Sequence, residues 1–82
     1  MEFINGEYLK NIKNTVANNV SCCVYARDEK KRIGILAKGE YNVGVVSRVT
    51  WDDMEDIITL KTDAGKQIMF SGSQISLVRL VD

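Results

Sequence analysis

Val43-Gly44-Val45-Val46-Ser47-Arg48-Val49-Thr50-Trp51 is the most strand-like run in the chain. β-Branched and aromatic side chains suit a pleated, half-buried surface. Alternation predicts Val43, Val45, Val49 and Trp51 on one face, with Arg48 and Thr50 on the other. Toward the C-terminus, Asp52-Asp53-Met54-Glu55-Asp56 reads as an acidic connection and Ile57 to Thr62 as a strand. Asp63-Ala64-Gly65-Lys66 reads as a hairpin turn, with Gly65 where a positive φ is expected. Gln67 to Ser71 is a further strand, with Ile68 and Phe70 on one face. Gly72-Ser73 interrupts it, and Ile75 to Val81 closes the pattern with apolar residues on both faces.

Toward the N-terminus, Lys38 to Asn42 reads as a loop and Arg32 to Ala37 as a strand. Val20 to Arg27, rich in Val, Cys and Tyr, is predicted as a strand pairing with it across the charged turn Asp28-Glu29-Lys30-Lys31. Residues 6–18 suit a short helix, with Tyr8, Leu9, Ile12 and Val16 near one face. Asn5 is placed to cap its start and Asn18-Asn19 to end it. The expected fold is mostly β: a small barrel or sandwich of five to six strands with an N-terminal α-helix. The expected organisation is a single domain over 1–82, helix 6–18 followed by barrel 20–82.

Composition fits a globular chain: 45% of the 82 residues are apolar and 27% charged. Eleven basic residues balance eleven acidic ones. That balance argues against a non-specific duplex-DNA binder, which draws its affinity from phosphate neutralisation. The balance is uneven along the chain: seven Lys/Arg and five Asp/Glu fall in residues 1–42, and four and six in residues 43–82. No basic region followed by an apolar run marks a secretory signal, and no run approaches the ~20 apolar residues of a membrane span. The expectation is a cytoplasmic protein without membrane contact. Cys22 and Cys23 are adjacent, so a disulfide between them is disfavoured on a strand, and both are expected to be reduced.

The stretch from Val43 to Val81 resembles the Sm-like fold, including its bacterial Hfq-type members. Gly44-Val45-Val46, Trp51-Asp52, Met54-Glu55 and Ile57-Ile58-Thr59-Leu60 follow the family's first motif. Ile68-Met69-Phe70-Ser71-Gly72 and Ile75-Ser76-Leu77-Val78-Arg79-Leu80 follow its second. The resemblance implies a leading helix, a strongly bent five-stranded barrel, ring assembly through edge strands and RNA as ligand. SH3-like barrels give much the same strand pattern. The chain departs from the family at the base-reading positions. Glu55 stands where the family has Asn, and Ser71 stands where it has a basic residue. The Asp52–Met54 spacing is one residue short, and 28–42 is longer than the family's first turn.

The chain has no histidine, which removes the commonest general base and metal ligand. Cys22-Cys23 lacks the spacing of a zinc site, and the carboxylates of 52–56 lack the order of a calcium loop. Those carboxylates suit a solvated loop or a face for a basic partner. No catalytic residue, metal or cofactor is therefore expected, and the chain is read as a non-enzymatic binding module. Arg27, Lys30, Lys31, Arg32 and Lys38 form the only basic concentration, with Tyr25 and Tyr41 near enough in sequence to stack on a base. This group suits either phosphate or acidic-protein contact, or a solvated hairpin tip. Trp51 suits packing in a core or subunit interface, or a ligand stack. The candidate site is made up of Arg27, Lys30, Lys31, Arg32, Lys38, Tyr41, Trp51, Asp52, Glu55 and Gly72. Two functions are expected: an Sm-like homo-oligomer binding RNA or another nucleic acid, and a protein-interaction or inhibitor module acting on a host protein, of phage or mobile-element origin.

Overall fold

The computed structural model describes residues 16–81. The helix expected over 6–18 lies outside the described residues except for 16–18. Among the described residues one helix, α1 (Val16–Glu29), is followed by five strands: β1 (Arg32–Ala37), β2 (Glu40–Asp52), β3 (Glu55–Thr62), β4 (Gln67–Ser71) and β5 (Ile75–Val81). All strand pairings are antiparallel in a single sheet, ordered β4-β3-β2-β1-β5. A short 3-10 turn, Gly72–Gln74, carries the chain from β4 back to β5. β4 and β5 remain the two edges, so the sheet is not closed by hydrogen bonds into a barrel.

The strand expected over Val20–Arg27 is helix instead, and β1 pairs with β2 and β5. The reason lies in which side chains are buried. Asn19, Cys22, Cys23 and Ala26 all face the core. Their spacing is that of a helix face, and their small size lets the helix approach the sheet closely. β-Branched neighbours favoured the extended reading, but tertiary packing overrides so weak a propensity. Cys22 and Cys23 therefore share the buried side, where alternation on a strand would have separated them.

The helix ends where Asp28–Lys31 was expected to form a hairpin turn. Lys30 adopts φ 55°. The Lys31 amide donates to the Ala26 carbonyl at 2.9 Å, and the Lys30 amide to that of Arg27 at 3.3 Å. This is the hydrogen-bond pattern of a Schellman motif, which satisfies carbonyls the last turn would otherwise orphan.

Two connections expected as loops are tight two-residue turns. Lys38 and Gly39 (φ 53° and 78°) join β1 to β2, while Asp53 and Met54 (φ 52° and 64°) join β2 to β3. Paired positive φ values are the mark of type I′ turns, whose twist matches that of the flanking strands. As expected, Gly65 takes a positive φ, 89°, in the β3–β4 turn.

β2 does not keep one face throughout. The register steps between Val46 and Arg48, leaving Ser47 as a bulge opposite β3. Val46 points into the core, and Val49 packs against it beyond the bulge. Val43 and Val45 lie on the outer side. The shared face expected for Val43, Val45, Val49 and Trp51 is thus broken at Ser47. β2 also closes on β3 at Gly44, where a Cβ would strike the Lys61 carbonyl oxygen. Glycine is required there by backbone approach.

The inner face gathers Ile33, Ile35 and Ala37 of β1, Val46 of β2, Ile58 and Leu60 of β3, Phe70 of β4 and Ile75 of β5, beneath the buried side of α1. Burying a side chain such as Ile33 or Leu60 stabilises by about 1.5–3 kcal/mol. On the outer face, Tyr41 lays its ring over Gly34 and under the Arg79 guanidinium, 5.6 Å from the ring centroid.

Candidate functional site

β2 and β3 extend beyond β1 and end at the Asp53–Met54 turn. β3 pairs Ile57 with Ser71, which brings the 3-10 turn against the base of this tip. Trp51, Met54, Glu55, Asp56, Gly72 and Ser73 line a cleft there of about 250 Å³. Trp51 is 67% exposed and Met54 83%. Of the places expected for Trp51, this chain's own core is not the one it takes. It lies on the inward side of β2 with Val49, but the core ends before it. The indole stands exposed on the β2–β3 tip, where Trp51 pairs with Asp56.

Hydrogen bonds fix the cleft's polar wall. The Ser73 hydroxyl donates to Glu55 Oε1 at 2.9 Å and is linked to the Ser71 hydroxyl at 3.1 Å. The Ser71 amide in turn donates to Gln74 Oε1 at 3.0 Å. Glu55 is thereby tied from β3 to the 3-10 turn. Glu55 and Ser71 thus belong to one network.

Trp51, Glu55 and Gly72 of the sequence-predicted site meet at this cleft. Asp52 pairs with Glu55 across the turn without lining the cleft. The Lys38 amide donates to the Gln74 carbonyl at 3.3 Å, so the β1–β2 turn lies beside the 3-10 turn. The remaining basic residues are elsewhere. Arg32 begins β1 and Lys38 follows its end, a separation of about 20 Å for six extended residues. The single basic patch expected from Arg27 to Lys38 is thus divided between two ends of the sheet.

Two of its members are already engaged. Arg27 pairs with Asp28 at 3.0 Å, and Arg32 pairs with Asp63 of the β3–β4 turn. The hydrogen bond and charge of Asp63 raise the pKa of the Arg32 guanidinium. Lys30 and Lys31 are exposed and join no ion pair among the described residues. Neither tyrosine forms a stacking face with them. Tyr25 packs against the core from α1, and Tyr41 sits at the Lys38 end of β1 under Arg79.

No family model matches the chain, and no curated protein or solved structure does. The chemistry of the site is therefore read from its own residues. Burial pushes the Cys22 thiol up to about 11 and, with the neighbouring Cys22 charge adding, Cys23 to about 12. Neither is a thiolate at neutral pH, the form a nucleophile or metal ligand needs. Among the described residues, no group of three Cys, Asp or Glu comes together to hold a metal ion. No helix among them is long and apolar enough to cross a membrane.

Met54 and Asp56, named in the sequence only within the family-like motif and the acidic run 52–56, line the cleft, as does Ser73, which the sequence did not single out. Met54 carried a usable signal. A two-residue turn set between long strands must expose its central side chains, but without glycine this turn was hard to recognise. Ser73 reaches Glu55 only through the fold, across 18 sequence positions.

Proposed function

We propose that the chain is a non-enzymatic binding module of Sm-like or SH3-like architecture, and that a partner protein docks at the cleft of the β2–β3 tip. The architecture is supported by the leading helix, the five antiparallel strands and the bulge of β2 at Ser47. One observation carries the function: Trp51, a large amphipathic ring, is left exposed over a cleft walled by Glu55 and Asp56. Exposed tryptophans in concave sites are common anchors of protein interfaces. Charge favours protein over RNA at this position. Asp52, Asp53, Glu55 and Asp56 crowd the tip, and no Lys or Arg lines the cleft. Phosphates are repelled from such a surface.

Among the described residues β4 and β5 each leave one edge unpaired, which favours self-assembly as well. Unpaired strand edges template pairing with another chain, and β5 is apolar on both faces. The protein is accordingly proposed to be a homo-oligomer, and light scattering that returns a monomer mass removes this part of the proposal. A second reading places nucleic acid at Lys30 and Lys31, the exposed cations at the α1–β1 junction that no carboxylate neutralises among the described residues.

Capture from a nuclease-treated lysate by the immobilised protein separates the readings. A stoichiometric protein retained by the wild type and lost with Trp51→Ala is the expected result. A salt-sensitive RNA gel shift that survives Trp51→Ala, and disappears when Lys30, Lys31 and Arg32 are reversed in charge, replaces it with the nucleic-acid reading.

A further inference from the structure

We infer that the cleft receives an arginine side chain of the partner, its guanidinium stacked on Trp51 and hydrogen-bonded to Glu55. The inference rests on the proposal that the cleft is the docking site, and it names the group recognised there.

The first support is an asymmetry between two aromatic rings. Tyr41 and Trp51 are the exposed rings among the described residues. Tyr41 is covered by the chain's own Arg79, which lies over its face and donates from Nε to the Tyr41 hydroxyl at 3.2 Å. Trp51 has no such cation among the described residues, although indole is the strongest of the aromatic faces for one. The second support is charge. Asp52, Asp53, Glu55 and Asp56 carry four negative charges within five positions, and none joins an ion pair among the described residues. A chain of zero net charge thus concentrates uncompensated charge where its indole is bare.

Geometry selects arginine over a general cation. Ser73 holds Glu55 Oε1, which fixes the carboxylate and leaves Oε2 able to accept. A carboxylate held in the same cleft as an indole suits a group that is both planar and a forked donor. Guanidinium has both properties, whereas ammonium is a compact, strongly hydrated point charge. Gly72 contributes no side chain to the lining, and the cleft's volume of about 250 Å³ is enough for one side chain.

The test uses the intact protein, followed by ¹⁵N NMR, with three probes: a blocked Gly-Arg-Gly peptide, the same peptide with citrulline for arginine, and oligouridylate. Citrulline keeps the shape and removes the charge. The arginine peptide is expected to shift the Trp51 indole N–H and the amides of Met54, Glu55, Asp56, Gly72 and Ser73. Citrulline, Trp51→Ala and Glu55→Gln are each expected to weaken binding about tenfold. Both substituted residues are exposed, and unchanged core amides verify that the variants fold. Equal binding of the citrulline peptide overturns the inference and leaves the cleft as the docking site. A shift of the cleft by oligouridylate in place of the peptide overturns both the inference and the protein docking site. An arginine peptide that shifts no residue of the cleft overturns the inference, whereas the docking site falls only when capture of the partner survives Trp51→Ala.

Discussion

Ser73 donates its hydroxyl hydrogen to Glu55 Oε1 across 2.9 Å, joining the 3-10 turn to the first residue of β3. The bond is exposed, so its worth to folding is small. Its effect is to hold one carboxylate in one orientation. Ser73→Ala is expected to move the urea midpoint by less than about 1 kcal/mol in stability. The same change is expected to weaken the arginine peptide several-fold, because the carboxylate must then be ordered during binding. Denaturation and peptide titration on one variant separate the two effects.

Gly34 and Gly44 sit on adjacent strands and fail for different reasons when given a side chain. At Gly44 the obstacle is the Lys61 carbonyl, which cannot move without displacing β3. Gly44→Ala is expected to cost about 2–3 kcal/mol, with no rescue from any neighbouring side-chain change. At Gly34 the obstacle is the Tyr41 ring, which rotates away at the loss of its contact with Arg79. Gly34→Ala is expected to destabilise, and to do so much less in a Tyr41→Ala background. A double-mutant cycle on these two residues is expected to show coupling of about 1 kcal/mol, whereas a Gly44–Tyr41 cycle is additive.

Much of the sheet was readable because its signals are local. Gln67–Ser71 and Ile75–Val81 follow from short apolar runs bounded by Gly65-Lys66 and Gly72-Ser73. What was not readable depended on small or polar residues doing apolar work. The buried face of α1 is Asn19, Cys22, Cys23 and Ala26, none large enough to mark a helical stripe, while Val20, Val24 and Tyr25 between them imitate a strand. Lys30 ends the helix in a left-handed conformation that usually falls to glycine, so no punctuation marked the boundary. The Ser47 bulge is invisible in an unbroken strand-like run. At the site, Trp51, Glu55 and Gly72 were legible from the family-like pattern. Their meeting point with Ser73, and the removal of Lys30–Arg32 to the far end, required the three-dimensional path.

Asn19 is 2% exposed, and its Oδ1 has no hydrogen-bond partner among the described residues. A buried acceptor without a donor forfeits its hydration and gains nothing in return, at a cost of about 1–3 kcal/mol. Asn19→Leu, which replaces the amide by a similar apolar volume, is expected to leave stability unchanged or raise it by up to about 1 kcal/mol. Asn19→Asp places an unpaired charge in the same position and is expected to cost about 3 kcal/mol or more at neutral pH. Urea midpoints of the two variants check the contrast. A marked loss in Asn19→Leu shows that the amide's other atoms are needed for packing.

Cys22 and Cys23 make stability depend on alkaline pH. Their ordinary value is 9.0, and burial raises it to about 11 and about 12 in the folded chain. Below about pH 9 both states carry the protons, and the folded state keeps its full advantage. Between the unfolded and folded values, the unfolded chain binds fewer protons, so stability falls as pH rises. The urea midpoint is therefore expected to decline from about pH 9 upward, beyond what other ionisations cause. Cys23→Ser is expected to flatten that decline while lowering stability at neutral pH, since a buried hydroxyl replaces an apolar thiol. Reaction with a thiol reagent offers a second reading of the same chemistry. The native protein is expected to react slowly at pH 8, and both cysteines are expected to react at once when urea unfolds it.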